Sequence, residues 1–318
     1  MEFIQGYSNI VYDSNSAIEI SFLEVREYVF AVIEEMISIL GDRFNDFCFI
    51  FFSTNSDGRI PATMDADFGG RKKVLFYLLD EAGATIEELS EHYHCIFKQY
   101  LPIESGNNIY PFPLGYANGI RFAKSDIKST RERGFNAFFS GSMNKNRTDF
   151  FNQFSSVRIP STKTISKIIR VPLVKKLKRR IRRLINKYGK KELLLPNSVI
   201  NFTDGFNQGL PKTAYIDYLL NSKVALCPSG ASCVESYRLY EAMFAGCVVI
   251  SDKLPNTSLY SESPIIQIDN WRNGVEIAQQ LFKSSYELEN LQRASLEYWE
   301  SHYSPKAVAA YISMKIVC

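Results

Sequence analysis

Ser222-Lys-Val-Ala-Leu-Cys-Pro-Ser-Gly-Ala-Ser-Cys-Val-Glu-Ser-Tyr-Arg-Leu-Tyr-Glu-Ala-Met-Phe-Ala-Gly-Cys-Val-Val-Ile-Ser-Asp252 holds most of the information about the fold. Val224 to Cys227 is a short buried strand, and Pro228, Ser229 and Gly230 force a turn that brings backbone N–H groups to the open edge of a sheet. A helix follows from about Tyr237 to Ala245, and Val248 to Ser251 forms the next strand. The helix starts near Ser236, so its N-terminus offers uncapped donors and a partial positive charge at that edge. Arg238 sits in the first helical turn, where a cation opposes the helix dipole and calls for an anionic neighbour. Glu241 lies three positions on, on the same face. The two side chains can address one ligand, the cation meeting phosphate and the carboxylate accepting ribose hydroxyls. An intrahelical ion pair of about 0.2–0.5 kcal/mol is the other reading, and the spacing leaves both open.

Working outward, Ser198 to Thr203 is a strand and Lys212 to Leu220 a helix, which completes a βαβαβ order. Right-handed crossovers turn that order into a parallel sheet whose ligand crevice lies outside the carboxyl ends of the strands. Upstream, Asn136 to Ser140 reads as a strand, Gly141 to Asn146 as a loop and Arg147 to Phe154 as the start of a helix. The first part of the chain alternates in the same way. Apolar residues at three- and four-residue steps from Phe22 to Leu40 predict a helix ended by Gly41. Phe47 to Phe52, Lys73 to Leu79 and Cys95 to Gln99 predict strands, with a helix from Thr85 to His92. After the proline-rich turn Tyr110 to Tyr116, the polar stretch Lys124 to Gly134 reads as a linker. An N-terminal α/β domain over 1–130 and a C-terminal α/β domain over 131–318 follow, the latter ending in helices at Val275 to Leu281, Leu288 to His302 and Pro305 to Ile316. The 318 residues, 46% of them hydrophobic, suffice for two cores.

The net charge of +3 hides an uneven distribution. Thirteen Lys and Arg lie between Lys163 and Lys191 with no acid among them, in a basic insertion at about 160–192, so the rest of the chain is net negative. Read as a helix, the stripe would carry Ile165, Ile168, Ile169, Leu173, Val174, Leu177, Ile181, Leu184 and Ile185 along one side, broken at Pro172. That pattern describes an amphipathic element for an anionic membrane surface, with a solvated insertion as the plain alternative. No helix-turn-helix, RNP or zinc pattern accompanies the charge, so nucleic acid is not expected as a partner. The six cysteines are scattered without a C-x-x-C pair and read as buried thiols. His92 and His94, and separately Asp65 and Asp67, match metal-site spacings loosely, and no metal site is expected. With no long uncharged apolar run and no signal peptide at its start, the chain is expected in the cytoplasm, peripheral on the inner face of the cell membrane.

Two segments carry a resemblance. Ser222-Lys223, Cys227-Pro228-Ser229-Gly230 and Ser236-x-Arg238-x-x-Glu241-Ala242-x-x-x-Gly246-Cys247-Val248 resemble the donor-binding core of exostosin-like glycosyltransferases over about thirty residues. Phe138-Phe-Ser-Gly-Ser-Met-Asn-Lys-Asn-Arg147 is similar to the first strand and loop of that family's C-terminal domain. The resemblance implies an α/β fold of GT-B type, two Rossmann-like domains facing a cleft, followed by C-terminal helices. It implies that Glu241 holds the ribose of a nucleotide-sugar donor, that Arg238, Ser236 and the Ser229-Gly230 turn lie near its diphosphate, and that Gly246 permits close helix-strand packing. Gly141 and Arg147 join the donor site, Arg147 ahead of Lys145 because it opens the predicted helix: a cation there beside a glycine loop would neutralise the leaving diphosphate, with a solvated loop cation as the other reading. Many GT-B enzymes carry another acid eight residues before the Glu241 position. That residue is Cys233 here, and Glu235 is the nearest acid.

The implied reaction moves a sugar to a surface-polysaccharide or lipid-linked glycan acceptor without metal or other cofactor. Asp80 or Glu81, at the end of a first-domain strand, is placed to act as base, although either can cap a helix instead. A transferase using another diphosphate-activated sugar, such as a phosphoribosyl donor, and a non-catalytic membrane or nucleic-acid binding module are the competing readings.

Overall fold

A computed structural model describes residues 7–55, 57–104, 106–154, 194–203 and 208–317. The basic insertion, and with it the membrane-surface reading of 163–191, lies outside the described residues.

The chain forms two compact units, each around a five-stranded, all-parallel sheet. In the first unit, strands β1 (Ile10–Tyr12), β2 (Phe47–Ser53), β3 (Lys72–Leu78), β4 (Cys95–Lys98) and β5 (Ile109–Pro111) lie side by side in chain order. Every residue of β2 is buried, as a central parallel strand covered on both faces requires. Alternate residues serve opposite faces. Phe51 stacks on Phe76 at 4.6 Å on one side, while Cys48, Ile50 and Phe52 join Leu75 and Tyr77 on the other.

Helix α1 (Arg26–Leu40) occupies the periodic segment expected from Phe22, beginning a turn later because Ile20–Phe22 forms a separate 3-10 turn. The helix expected from Thr85 to His92 is only a 3-10 turn, Glu87–Glu91, with no side-chain cap at its start. The strands β1 and β5, three residues each, are too short to show a period.

The second unit orders its strands β10-β9-β8-β6-β7: β6 (Phe135–Ser142), β7 (Val199–Thr203), β8 (Ser222–Cys227), β9 (Val248–Asp252) and β10 (Ile266–Ile268). Its helices are α2 (Thr148–Phe154), α3 (Lys212–Leu220), α4 (Tyr237–Phe244), α5 (Trp271–Leu281) and α6 (Ser285–Tyr298), the last running out of the unit after Leu296. One face is packed with Phe139, Phe150, Leu226, Ile250, Trp271 and Ala278. Gly246, at φ 66, reverses the chain between α4 and β9. A Cβ there would sit 3.0 Å from Leu296 of α6, so the glycine lets that helix pack closely on the turn between α4 and β9.

The boundary between the units differs from a single cut near residue 130. The first unit comprises 1–119 together with 255–263 and 297–318, and the second comprises 120–254 and 264–296. Helix α7 (Pro305–Val317) therefore belongs with the first sheet. Its Val308, Ala309, Ile312 and Ile316 are buried, it packs on α1, and its last turn is held where His94 Nε2 meets the Ile316 carbonyl at 2.8 Å. Tyr28 of α1 donates to the Tyr303 carbonyl just before this helix, at 2.7 Å.

Candidate functional site: an arginine pair at the strand ends of the second sheet

Strands β9, β8 and β6 are neighbours in the second sheet, so the loops leaving their carboxyl ends meet. The loop after β6 is shaped by Asn144, whose side chain accepts from the backbone N–H groups of Asn146 and Arg147 and starts a tight 3-10 turn. Asn146 then reaches the turn after β8, donating to the carbonyls of Gly230 and Ala231 at 3.0 and 3.1 Å. Arg147 is fixed from two sides. Its Nε donates to the Ser229 carbonyl at 2.8 Å and its Nη1 to the Ser142 carbonyl at 2.7 Å.

Arg238, from the first turn of α4, reaches the same place. Its Nη2 donates to the Ser140 carbonyl at 2.7 Å. Both guanidinium groups lie over the Phe139 ring, at 4.9 Å for Arg238 and 5.7 Å for Arg147. Between them is Gly141. A methyl group there would lie 2.6 Å from Arg238 Nη2 and 3.0 Å from Arg147 Nη1, so a side chain at position 141 would push the guanidinium groups aside.

This arrangement is electrostatically incomplete. Arg147 is 6% exposed, and burial, followed by repulsion from Arg238, pushes its pKa down to about 9. Arginine keeps its proton at neutral pH, so the shift expresses the cost of holding two cations together in a poorly hydrated place. The Nε and Nη1 of Arg238 are buried without a hydrogen-bond acceptor among the described residues. Buried charged donors ordinarily find partners, and an anion is an acceptor whose chemistry would suit such a pair beside a second guanidinium.

Glu241, one turn along α4, is 4% exposed and accepts from the Tyr215 hydroxyl at 2.7 Å. Burial and the neighbouring carboxylate hold the Tyr215 hydroxyl well above its ordinary pKa, so it remains a donor. Arg238 and Glu241 thus do not spend themselves on an ion pair with each other: the first goes to the end of β6 and the second to α3.

Of the other residues singled out in the sequence, Ser236 is the N-cap of α4 and makes no side-chain cap bond. Gly230 is half-buried where the loop doubles back, since a Cβ would meet the carbonyls of Cys233 and Glu235 at 2.9 and 3.0 Å. Ser229 differs from expectation. Its N–H, expected as an open anion donor, is donated to the carboxylate of Asp252 at 2.8 Å, and its hydroxyl to the same oxygen at 2.6 Å. A carboxylate at the end of the adjacent strand has taken the donors that the turn exposes.

Asp80 and Glu81 lie in the first unit, after β3. Asp80 is fully buried, its Oδ2 accepting from Lys98 Nζ and from the Ala84 N–H, each at 2.7 Å, whereas Glu81 is exposed. The burial of Asp80 is made tolerable by the equally buried Lys98, which also lies 5.2 Å from the Tyr77 ring centre. His92 and His94 do not converge: His92 Nδ1 is 3.3 Å from Asp65, while His94 turns to Ile316.

Sequence reading overlooked Tyr215 and Asp252. Asp252 directly follows the strand predicted over Val248 to Ser251, and the rule that ligands gather at carboxyl ends of parallel strands offers a signal for it. Tyr215, inside α3, carries none.

Comparison with solved structures places this architecture. An α-glucosyltransferase in complex with UDP and a 13-mer DNA containing a HMU base is similar with a TM-score of 0.53 at 13% identity, over 97% of this chain and 99% of that one. Anabaena Alr3699/HepE in complex with UDP gives 0.47 at 9% identity, over 97% and 98% of the chains. T4 phage BGT in complex with its UDP-glucose substrate gives 0.46 at 13% identity, over 97% and 99%. The fold is α/β of GT-B type, with two parallel five-stranded sheets and C-terminal helices. No protein-family model and no curated protein sequence matches the chain.

Proposed function

We propose that the protein is a glycosyltransferase that moves a sugar from a nucleotide-sugar donor, and that the arginine pair of the second unit binds the donor's diphosphate. The observation that carries the reading is the pair Arg238 Nε and Nη1, buried without an acceptor among the described residues, beside the buried cation of Arg147 and over a glycine whose Cβ would crowd both guanidinium groups. In sugar transfer the departing nucleoside diphosphate gains negative charge, and fixed guanidinium groups stabilise it without reorganisation. They also supply what a divalent ion would otherwise supply, so a metal-independent reaction is proposed. Glu241, held by Tyr215, accepts from the ribose hydroxyls. The α-glucosyltransferase of the same fold, seen with UDP, supports a nucleotide donor, and the motif around Arg238 and Glu241 supports membership of the exostosin-like family.

The proposed acceptor is a surface-polysaccharide or lipid-linked glycan, and the proposed setting is the cytoplasm, peripheral on the inner face of the membrane. The cationic, amphipathic sequence 163–191 supports that setting. Of the two candidate bases, Glu81 is the acid with an accessible carboxylate. A Glu81→Gln enzyme should lose turnover while its donor affinity holds.

Calorimetric titration with UDP, GDP, CMP and ADP tests the central claim. Wild type should bind at least one, and Arg238→Ala and Glu241→Ala should each weaken it roughly tenfold or more. A phosphoribosyl-type donor would leave the Glu241→Ala protein unaffected, and no response to any nucleotide would favour a binding module over an enzyme.

A further inference from the structure

Asp252, the last residue of β9, orders the turn after β8 through its carboxylate. One oxygen accepts both the N–H and the hydroxyl of Ser229. These two bonds fix the plane of the peptide that enters Ser229 and the rotamer of its side chain. The carbonyl of the same residue accepts Arg147 Nε, and Arg147 Nη1 continues to the Ser142 carbonyl. The chain of bonds Asp252, Ser229, Arg147, Ser142 therefore crosses the ends of three adjacent strands, β9, β8 and β6, in sheet order.

We infer that Asp252 is a positioning residue for Arg147: acting through Ser229, it holds the guanidinium in the place where the diphosphate is received. The inference rests on the donor-site reading above and deepens it. It gives Ser229 the role of a link in place of a phosphate ligand, since its N–H and hydroxyl are already committed. It also gives the buried cation a reason to stay put before any ligand arrives. A guanidinium with a long flexible stem costs side-chain entropy to immobilise. Here the bonds to the Ser229 and Ser142 carbonyls come from the protein itself, so the ordering does not have to be supplied by a ligand. The carboxylate contributes attraction for Arg147 as well, which partly offsets repulsion from Arg238.

Three probes separate this role from its alternatives: a nucleoside diphosphate (UDP or GDP, whichever the wild type binds), the matching nucleoside, and inorganic pyrophosphate. Asp252→Ala should weaken the nucleoside diphosphate and pyrophosphate roughly tenfold, while nucleoside affinity, read by saturation-transfer NMR, stays at the wild-type value. Asp252→Asn keeps an acceptor for both Ser229 donors and should restore binding to near wild type. In an Arg147→Ala background, Asp252→Ala should have no further effect, because the two residues act as one unit.

Equal losses for diphosphate and nucleoside would show a merely structural residue, and additive losses in the double variant would break the link to Arg147. Tighter diphosphate binding by Asp252→Ala would mean that the carboxylate competes with phosphate. Each result overturns the inference. Wild type that binds pyrophosphate but no nucleotide would overturn the nucleotide-donor reading while the Asp252 effect is still measured on pyrophosphate. Wild type that binds neither would overturn both.

Discussion

At the scale of the residue, the chain handles charge by two opposite means. Lys98 and Asp80 are buried opposite charges that satisfy each other in the first unit, whereas Arg147 and Arg238 are like charges left short of an acceptor in the second. The two cases predict opposite behaviour on substitution. Lys98→Met leaves Asp80 buried and uncompensated, and should cost about 3–5 kcal/mol in urea unfolding. Arg238→Met removes a guanidinium that makes no ion pair among the described residues and leaves two of its donors unmet, so stability should hold or rise while pyrophosphate binding is lost. Gly141→Ala should behave as a binding defect: its methyl group displaces Arg238 Nη2 from 2.6 Å, and roughly tenfold weaker diphosphate affinity is expected in calorimetry. The pattern Arg238-x-x-Glu241 was legible in the sequence as two side chains on one helical face. Their separate commitments, to Ser140 and to Tyr215, were not, because those partners are 98 and 26 residues away.

At the scale of the element, the strands follow their composition closely. β2, β3, β8 and β9 lie within a residue or two of the apolar runs that predict them, since burial on both faces demands an unbroken apolar segment. Helix Lys212–Leu220 has the predicted bounds. Where an element depends on neighbours, its sequence says less. Thr85 to His92 has helical composition but forms only a 3-10 turn, and β10 owes its three residues to pairing with β9. Turns are stricter. Gly115 has φ 66, and a Cβ there would lie 2.2 Å from the Tyr28 ring. Gly115→Ala should therefore cost about 1–3 kcal/mol, seen as a lower urea midpoint, because the ring of α1 has to move in a packed core.

At the scale of the whole molecule, the chain leaves the first unit, builds the second and returns twice. Helix α7 covers α1 although nearly the whole chain separates them. Removing residues 297–318 should thus unfold the first unit, with loss of its share of far-UV circular dichroism, even though the deletion lies beyond the second sheet. A nucleoside diphosphate at about a hundred times its dissociation constant should stabilise the second unit by about 2.7 kcal/mol, read as a rise in its thermal midpoint.

The amino-acid sequence on its own determined the α/β class, the βαβαβ order of the second sheet, the glycine turns and the helix bearing Arg238 and Glu241. These depend on side-chain periods and turn chemistry that operate within a few residues. Tertiary structure alone decided that Asp252 captures Ser229, that Tyr215 holds Glu241, that Asp80 is neutralised by Lys98 and that the last helix joins the first sheet. Each of these is a contact between strand ends or helices brought together by the packing of parallel sheets. Such packing pairs residues at separations that no local pattern encodes, and at the strand ends it leaves the hydrogen-bonding groups free to choose partners across neighbouring loops.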